Sequence, residues 1–246
     1  MITKLLIDAD ILIYRVGYKT NDETLRHACS TMDEAIGNIL LAYPETPYCL
    51  YLTGPGQANY RHKYAVTAPY KGNRKDVEKP THYHELRSYL MESHHDCVMT
   101  VDNEADDAIA IDFTALMQSA TEDDYPVLVS VDKDFDQLEG CRYDFTKGVE
   151  VWNDKQDAMN NLWMQCLTGD RVDNIKGIFR VGPKKAHAIL EDCHVHRAYY
   201  NKCIAAFIEK EEISDAEAKA RVVENMRLLY LQREPNDLWS PETHLD

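Results

Sequence analysis

The sequence predicts an α/β fold, a parallel sheet with helices on both faces, over its first 150 residues, followed by a helical region. Three observations predict it. Short apolar runs alternate with stretches of helical spacing as far as Trp152, strand signals stop beyond that residue, and acids stand where several apolar runs end. A chain of 246 residues, 44% hydrophobic and 28% charged, is long enough for one large domain or two small ones.

Taken in order, Lys4 to Tyr14 reads as a buried strand running out at Asp8, and Thr31 to Ala42 follows helical spacing. Tyr48 to Leu52 is a second strand ending in the turn-like Thr53-Gly54-Pro55-Gly56. Segment 60–80 is polar, basic and tyrosine-bearing without a period, as in a mobile loop or short helices. Pro80 to Ser93 reads as a helix and Cys97 to Val101 as a strand. Glu104 to Met117 forms a helix with Ala105, Ala108, Ile109, Phe113 and Leu116 on one face, and Val127 to Val131 is a further strand. Beyond Trp152 the pattern is helical, with a glycine-punctuated turn at 177–183.

Asp8 and Asp10 interrupt the apolar stretch Leu5 to Tyr14, which therefore fails as a membrane span and as a signal-peptide core. Seven cysteines without regular spacing argue against a disulfide framework and for a reducing cytoplasm. A net charge of −15 ordinarily disfavours a polyanionic partner, yet the charge is unevenly spread. Residues 101–136 hold eleven acids against Lys133 alone, whereas segments 60–75 and 174–187 contain no acid and carry nine of the 27 Lys and Arg residues. Solvated charged faces would explain any single run. An acidic centre between two basic stretches suits an enzyme that holds cations and a polyanion together.

Ligands of a doubly wound sheet sit outside the carboxyl ends of its strands. Asp8, Asp132 and Asp134 lie at such ends, and Glu104, Asp106 and Asp107 follow another, so these carboxylates are expected to converge and to require compensation by divalent cations. Hard oxygen ligands select Mg²⁺ or Mn²⁺, and no His or Cys set has zinc spacing. Favourable interaction with a helix dipole is the alternative account of Glu104, Asp106 and Asp107. An EF-hand is rejected because Gln137 and Tyr143 replace its Gly and Glu, and Leu12 departs from the Asp-x-Asp phosphatase motif at Asp8.

Five blocks in order resemble the 5′-nucleases, the flap endonucleases and 5′→3′ exonucleases of PIN-like fold, and look closest to their short phage members. They are Leu5-Leu6-Ile7-Asp8-Ala9-Asp10, Pro69-Tyr70-Lys71-Gly72-Asn73-Arg74-Lys75, Glu104-Ala105-Asp106-Asp107 and Ser130-Val131-Asp132-Lys133-Asp134-Phe135, and the run from Thr168 to Gly177 continued by Val181-Gly182-Pro183-Lys184-Lys185-Ala186.

The resemblance implies a three-layer nuclease core at 1–150 with a basic arch at about 60–80, and a helical region at 151–246 with a duplex-binding helix–turn–helix at about 165–192. It implies two Mg²⁺ ions, with Mn²⁺ able to substitute, held by Asp8, Glu104, Asp106, Asp107, Asp132, Asp134, Asp170 and Asp173. Asp170 and Asp173 are expected at i, i+3 on one helical face. Lys71 and Arg74 would act catalytically on the scissile phosphate, or else be solvated charges of an exposed turn. Tyr70, Lys75, Gly177, Gly182, Lys184 and Lys185 would contact DNA, backbone N–H groups at a helix N-terminus gripping phosphates. Tyr60, Tyr64 and Tyr70 suit either stacking on a frayed base or packing.

The implied activity is metal-dependent hydrolysis of DNA from a 5′ end, 5′→3′. Flap endonuclease action, removal of RNA from RNA–DNA hybrids and non-catalytic DNA binding are the alternatives. Partners would be duplex or flap DNA and no membrane, in the cytoplasm, the host's if phage-encoded. Two departures stand out: Gly54 occupies a position where the family places a further acid, and Arg180 replaces the first glycine of a Gly-x-Gly turn. Asp10, two residues beyond Asp8 on a strand, would either supply the missing charge or cap the turn, and an acid introduced at position 54 is expected to restore metal binding in part.

Overall fold

The computed structural model describes residues 1–55, 59–74 and 77–245. Contacts divide the chain into one unit of Met1–Gln57, Val77–Phe135 and Gly140–Trp152, and a second of Ala58–Asp76, Asp136–Glu139 and Asn153–Asp246.

The first unit opens with β1 (Ile2–Asp8), whose Leu5, Leu6 and Ile7 are wholly buried. At about 1.5–3 kcal/mol for each such side chain, this run alone favours the strand's central place. Asp8 ends it by capping α1 (Ala9–Lys19), its Oδ1 accepting from Ile11 N at 3.2 Å. The apolar run Lys4 to Tyr14, read as a strand running out at Asp8, is thus a strand to Asp8 followed by a helix, and Asp10 belongs to the first turn of that helix. Next come α2 (Leu25–Ala42) and β2 (Tyr48–Leu52). The basic segment that follows, with α3 (Arg61–Tyr64) and a 3₁₀ turn at Gly72–Arg74, belongs to the second unit. The first unit resumes with α4 (Tyr83–Ser93), β3 (Cys97–Met99), α5 (Ala105–Met117), β4 (Tyr125–Val129), β5 (Gly140–Asp144) and β6 (Val149–Asn153).

The sheet order is β3-β2-β1-β4-β5-β6. The pairs β1–β2, β1–β4, β2–β3 and β4–β5 run parallel, with Asp8 beside Tyr51 and Ile7 beside Val129. The strand order reverses between β1 and β4, and the carboxyl ends of those two strands flank the switch point where such sheets bind ligands. β5 and β6 escaped the sequence pattern for identifiable reasons. Arg142 interrupts β5 with a buried guanidinium that donates to Ser130 O at 3.0 Å, and β6 is an edge strand left mostly exposed.

The second unit continues with α6 (Lys155–Thr168), a two-residue hairpin of β7 (Gly169–Asp170) and β8 (Ile175–Lys176), then α7 (Pro183–Leu190), α8 (His196–Glu211), α9 (Asp215–Leu229) and α10 (Pro241–His244). Its core forms around Trp163, which stacks on Tyr199 at 6.1 Å and meets Trp239 edge-on at 5.9 Å. Gly169 ends α6 at φ 68°, and a Cβ there would lie 2.2 Å from Gly177 N. The two glycines face each other because the hairpin's backbones pass too closely for side chains. The basic segment is anchored to this unit. Arg61 is buried and donates to Leu228 O at 2.9 Å and Tyr230 O at 3.0 Å, while Glu224 accepts from the amides of Val66 and Thr67 at 2.8 and 2.6 Å.

Candidate metal and nucleic-acid sites

In the first unit, Asp8 is buried at the carboxyl end of β1. Burial chiefly, then the neighbouring Asp10 charge, pushes its carboxyl up to about 7, against the Ser130 and Ile11 hydrogen bonds that hold it down. Ser130 Oγ donates to Asp8 Oδ2 at 2.8 Å and accepts from Asp132 N at 3.0 Å. Asp132 Oδ1 in turn accepts from Asp134 N at 2.9 Å. The hydroxyl therefore ties the ends of adjacent strands together and aligns two acids across the switch point. Glu104 stands at the N-cap of α5 without capping it, and Asp106 and Asp107 occupy its first turn, Asp107 fully buried. Among the described residues no group of three or more His, Cys, Asp or Glu side chains gathers at metal-binding distance.

Asp10 is committed elsewhere. Its Oδ1 pairs with Arg87 at 2.7 Å, and its Oδ2 accepts from Thr53 N at 2.8 Å. Arg87 also donates to Thr53 O, and Thr53 Oγ1 accepts from Ala105 N at 2.9 Å, so this network ties α1, α4, the end of β2 and the start of α5 together. Nor can position 54 receive an acid in this backbone: a Cβ on Gly54 would stand 1.9 Å from Thr100 O. The expectation that Asp10 lies on a strand face beside Asp8 is corrected by the start of α1 at Ala9, which puts Asp10 in a helix's first turn.

In the second unit, Asp170 ends β7 and Asp173 lies on the β7–β8 turn, neither on a helix, because Gly169 has ended α6. Asp170 Oδ1 accepts from the amides of Val172 and Asp173 at 2.5 and 3.3 Å. Asp173 accepts from Arg74 at 2.5 Å and from the hydroxyl of buried Tyr70 at 2.8 Å, and Lys71 Nζ lies 3.7 Å away. Lys71 is held at φ 52°, its amide donating to Asp173 O at 2.9 Å. Tyr60 and Tyr64 pack within this unit as well, Tyr60 donating to Tyr230 O and Tyr64 lying under Arg227 at 4.7 Å. Lys75 lies outside the described residues.

Gly177 serves the close crossing of the hairpin, and Gly182 is the N-cap of α7, followed by exposed Lys184 and Lys185. Arg180, which stands where the resemblance expects glycine, has a left-handed backbone at φ 58°. Sequence reading missed Ser130, although it follows an apolar run and precedes Asp132 by two residues. Arg87 and Thr53 carried no sequence signal, since their role depends on partners 77 and 43 residues away.

No family model matches the chain. Over 149 residues it is 32% identical to a DNA polymerase I of Rhizobium leguminosarum, a stretch covering 56% of this chain and 14% of that protein. The chain thus spans a small part of the length of this curated relative. Among solved structures, the T5 D15 protein co-crystallized with metal ions matches with a TM-score of 0.72 and 18% identity, over 93% of this chain and 89% of that one. A complex of T5 D15 flap endonuclease with DNA and metal ions matches at 0.66 and 19%, over 93% and 89%. The catalytic core of Rad2 with a DNA substrate matches at 0.53 and 15%, over 97% and 81%. The α/β nuclease-like fold expected from the sequence is therefore the fold observed, shared with the T5 protein and Rad2. Among the described residues no helix is long and apolar enough to cross a membrane.

Proposed function

We propose that this chain, folded as T5 D15 and the Rad2 core are, is a divalent-metal-dependent phosphodiesterase that degrades DNA from its 5′ end in the 5′→3′ direction. The observation carrying the proposal is the Asp8–Ser130–Asp132 chain at the switch point of the parallel sheet. The donor set fits a hard cation. Asp8 and Asp132 offer carboxylate oxygens, and the raised proton affinity of Asp8, due chiefly to burial and then to the Asp10 charge, marks a carboxylate whose ionised form a cation would favour. Mg²⁺ keeps several waters and binds through one or two carboxylates plus substrate phosphate, so a closed cage of three side chains is not needed.

In this reading Asp8, Glu104, Asp106, Asp107, Asp132 and Asp134 hold divalent metal, as do Asp170 and Asp173, with Mg²⁺ the expected ion and Mn²⁺ a substitute. Such ions, when bound, lower the pKa of water and neutralise charge on phosphate. The chain's own groups supply the rest. Ser130 holds Asp8 and Asp132 in register. Lys71 and Arg74 exchange Asp173 for the phosphate and stabilise its developing charge, leaving a 5′-phosphate and a 3′-hydroxyl. Tyr70 orients Asp173 from the core, and the acid-free stretch 174–187, with Gly177, Gly182, Lys184 and Lys185, contacts duplex phosphates without reading bases.

Incubation of a 5′-labelled duplex and a 5′-flap substrate with Mg²⁺ tests this. Release of labelled mononucleotides supports the exonuclease. Release of flap-length oligonucleotides would support the second reading, a flap endonuclease, favoured by the fold shared with T5 D15. Binding without cleavage would overturn both in favour of an accessory protein, and selective loss of the RNA strand of a hybrid would point to primer removal.

A further inference from the structure

The turn between β8 and α7 presents an exposed ring beside a cation on strained backbone. Phe179 is 74% exposed, and the Arg180 guanidinium stacks 4.9 Å from its ring centre. Arg180 adopts φ 58°, a conformation that glycine would take without strain. Exposure of a large apolar ring and retention of a strained backbone at adjacent positions are both unfavourable for the isolated fold.

The turn is well held nonetheless. Val181 N donates to Ile178 O at 3.1 Å, Lys185 Nζ to Arg180 O at 3.1 Å, and Phe179 N to the Glu211 carboxylate at 2.7 Å. Glu211 brings an acid to the turn, and it is engaged by the Phe179 amide. That amide is already occupied, so at this point the turn can meet a partner through its side chains. Lys176, Lys184 and Lys185 flank it in sequence, in a stretch that contains no acid from 174 to 187.

An apolar ring and a cation stacked together complement a polymer in which apolar sugar faces alternate with phosphates. We infer that Phe179 and Arg180 form a side-chain contact to the backbone of duplex DNA, the phenyl ring on a deoxyribose and the guanidinium on the adjacent phosphate. The inference rests on the nuclease reading and adds a contact that the expected backbone and lysine grip does not include. Because neither group reads a base edge, the contact is independent of sequence.

The test uses the full chain in EDTA, with dissociation constants for a blunt duplex and a single strand measured by anisotropy across a salt series. Phe179→Ala should weaken duplex binding about tenfold, as expected for losing most of one aromatic burial, without changing the salt slope. Arg180→Gly should weaken binding and flatten the slope by about 0.9, one phosphate contact, while raising Tm because glycine relieves the strain. Opposite effects on affinity and stability cannot come from damage to the fold. The inference is overturned if either variant binds duplex like wild type, or if Phe179→Ala costs more on single strands than on duplex, which would mean base stacking instead. Wild type that binds no DNA would sink the nuclease reading itself. Wild type that binds normally beside unchanged variants would sink only this contact.

Discussion

Arg74 donates to Asp173 across 2.5 Å, and the same carboxylate also takes the hydroxyl proton of Tyr70 at 2.8 Å. A basic residue expected to meet phosphate and an acid expected to meet metal are therefore each other's partners. Under the proposed function a phosphate oxygen would take the place of Asp173 on Arg74, and each of the two would pass to its proposed partner.

That pairing predicts non-additive binding. Asp173→Asn should tighten DNA binding in EDTA, and Arg74→Ala should cost more in the Asp173→Asn background than in wild type, because the freed guanidinium then has only phosphate to bind. A double-mutant cycle on the dissociation constant measures this. Additive effects would show that Asp173 merely repels DNA. With Mg²⁺ present, Arg74→Ala and Lys71→Ala should lower kcat more than they raise KM.

Removal of metal-facing charge gives the second expectation. Under the proposed function, Asp132→Ala and Asp107→Ala should abolish cleavage while preserving DNA binding in EDTA, since each removes a carboxylate proposed to hold metal rather than a group proposed to grip DNA. Retention of wild-type turnover by either variant would defeat the assignment. Thermal unfolding read beside the gels separates this from misfolding, which matters for Asp107 because it is fully buried.

The third concerns pH. Asp8 titrates at about 7 in the folded protein against an ordinary value of 3.8, so between these values the folded state binds more protons than the unfolded state. Stability of the metal-free protein should therefore fall as pH rises from about 4 to about 7 on this group's account. Asp8→Asn should remove that component, and Mg²⁺ should oppose it by favouring the ionised form. Calorimetric Tm values across this range, with and without EDTA, provide the check. A wild-type slope that Asp8→Asn leaves unchanged would contradict it.

The fourth concerns Gly54. A Cβ 1.9 Å from Thr100 O must displace backbone, so Gly54→Ala and Gly54→Asp should each destabilise by about 1–3 kcal/mol, the range for overpacking a tight site. Neither should lower the Mg²⁺ requirement of Asp10→Asn. Urea midpoints and a metal titration decide. A Gly54→Asp variant that rescued metal binding would mean this turn yields more easily than its geometry implies.

The alternation of apolar runs and helical spacing was enough to place β1 to β4 and the helices α2, α4 and α5, because burying Leu5 to Ile7 or Val127 to Val129 requires local patterns that a sequence displays, whereas α1 was hidden by the apolar run that continues from β1. Strand-end position likewise marked Asp8 and Asp132 before any contact was known. What the sequence could not determine is partnership. Asp8 and Asp10 look equivalent in one dimension, yet the helix beginning at Ala9 turns one toward Ser130 and the other toward Arg87, 77 residues away. Asp170 and Asp173 have helical spacing, yet the close passage of Gly169 against Gly177 makes their segment a hairpin. Gly54 and Arg180 are both departures at a turn. Only the tertiary structure showed that Thr100 demands the first, while the second carries a charged side chain on a left-handed backbone. Local propensity is carried by neighbours in sequence. The pairing of charges and the close approach of backbones are settled by atoms distant in the chain.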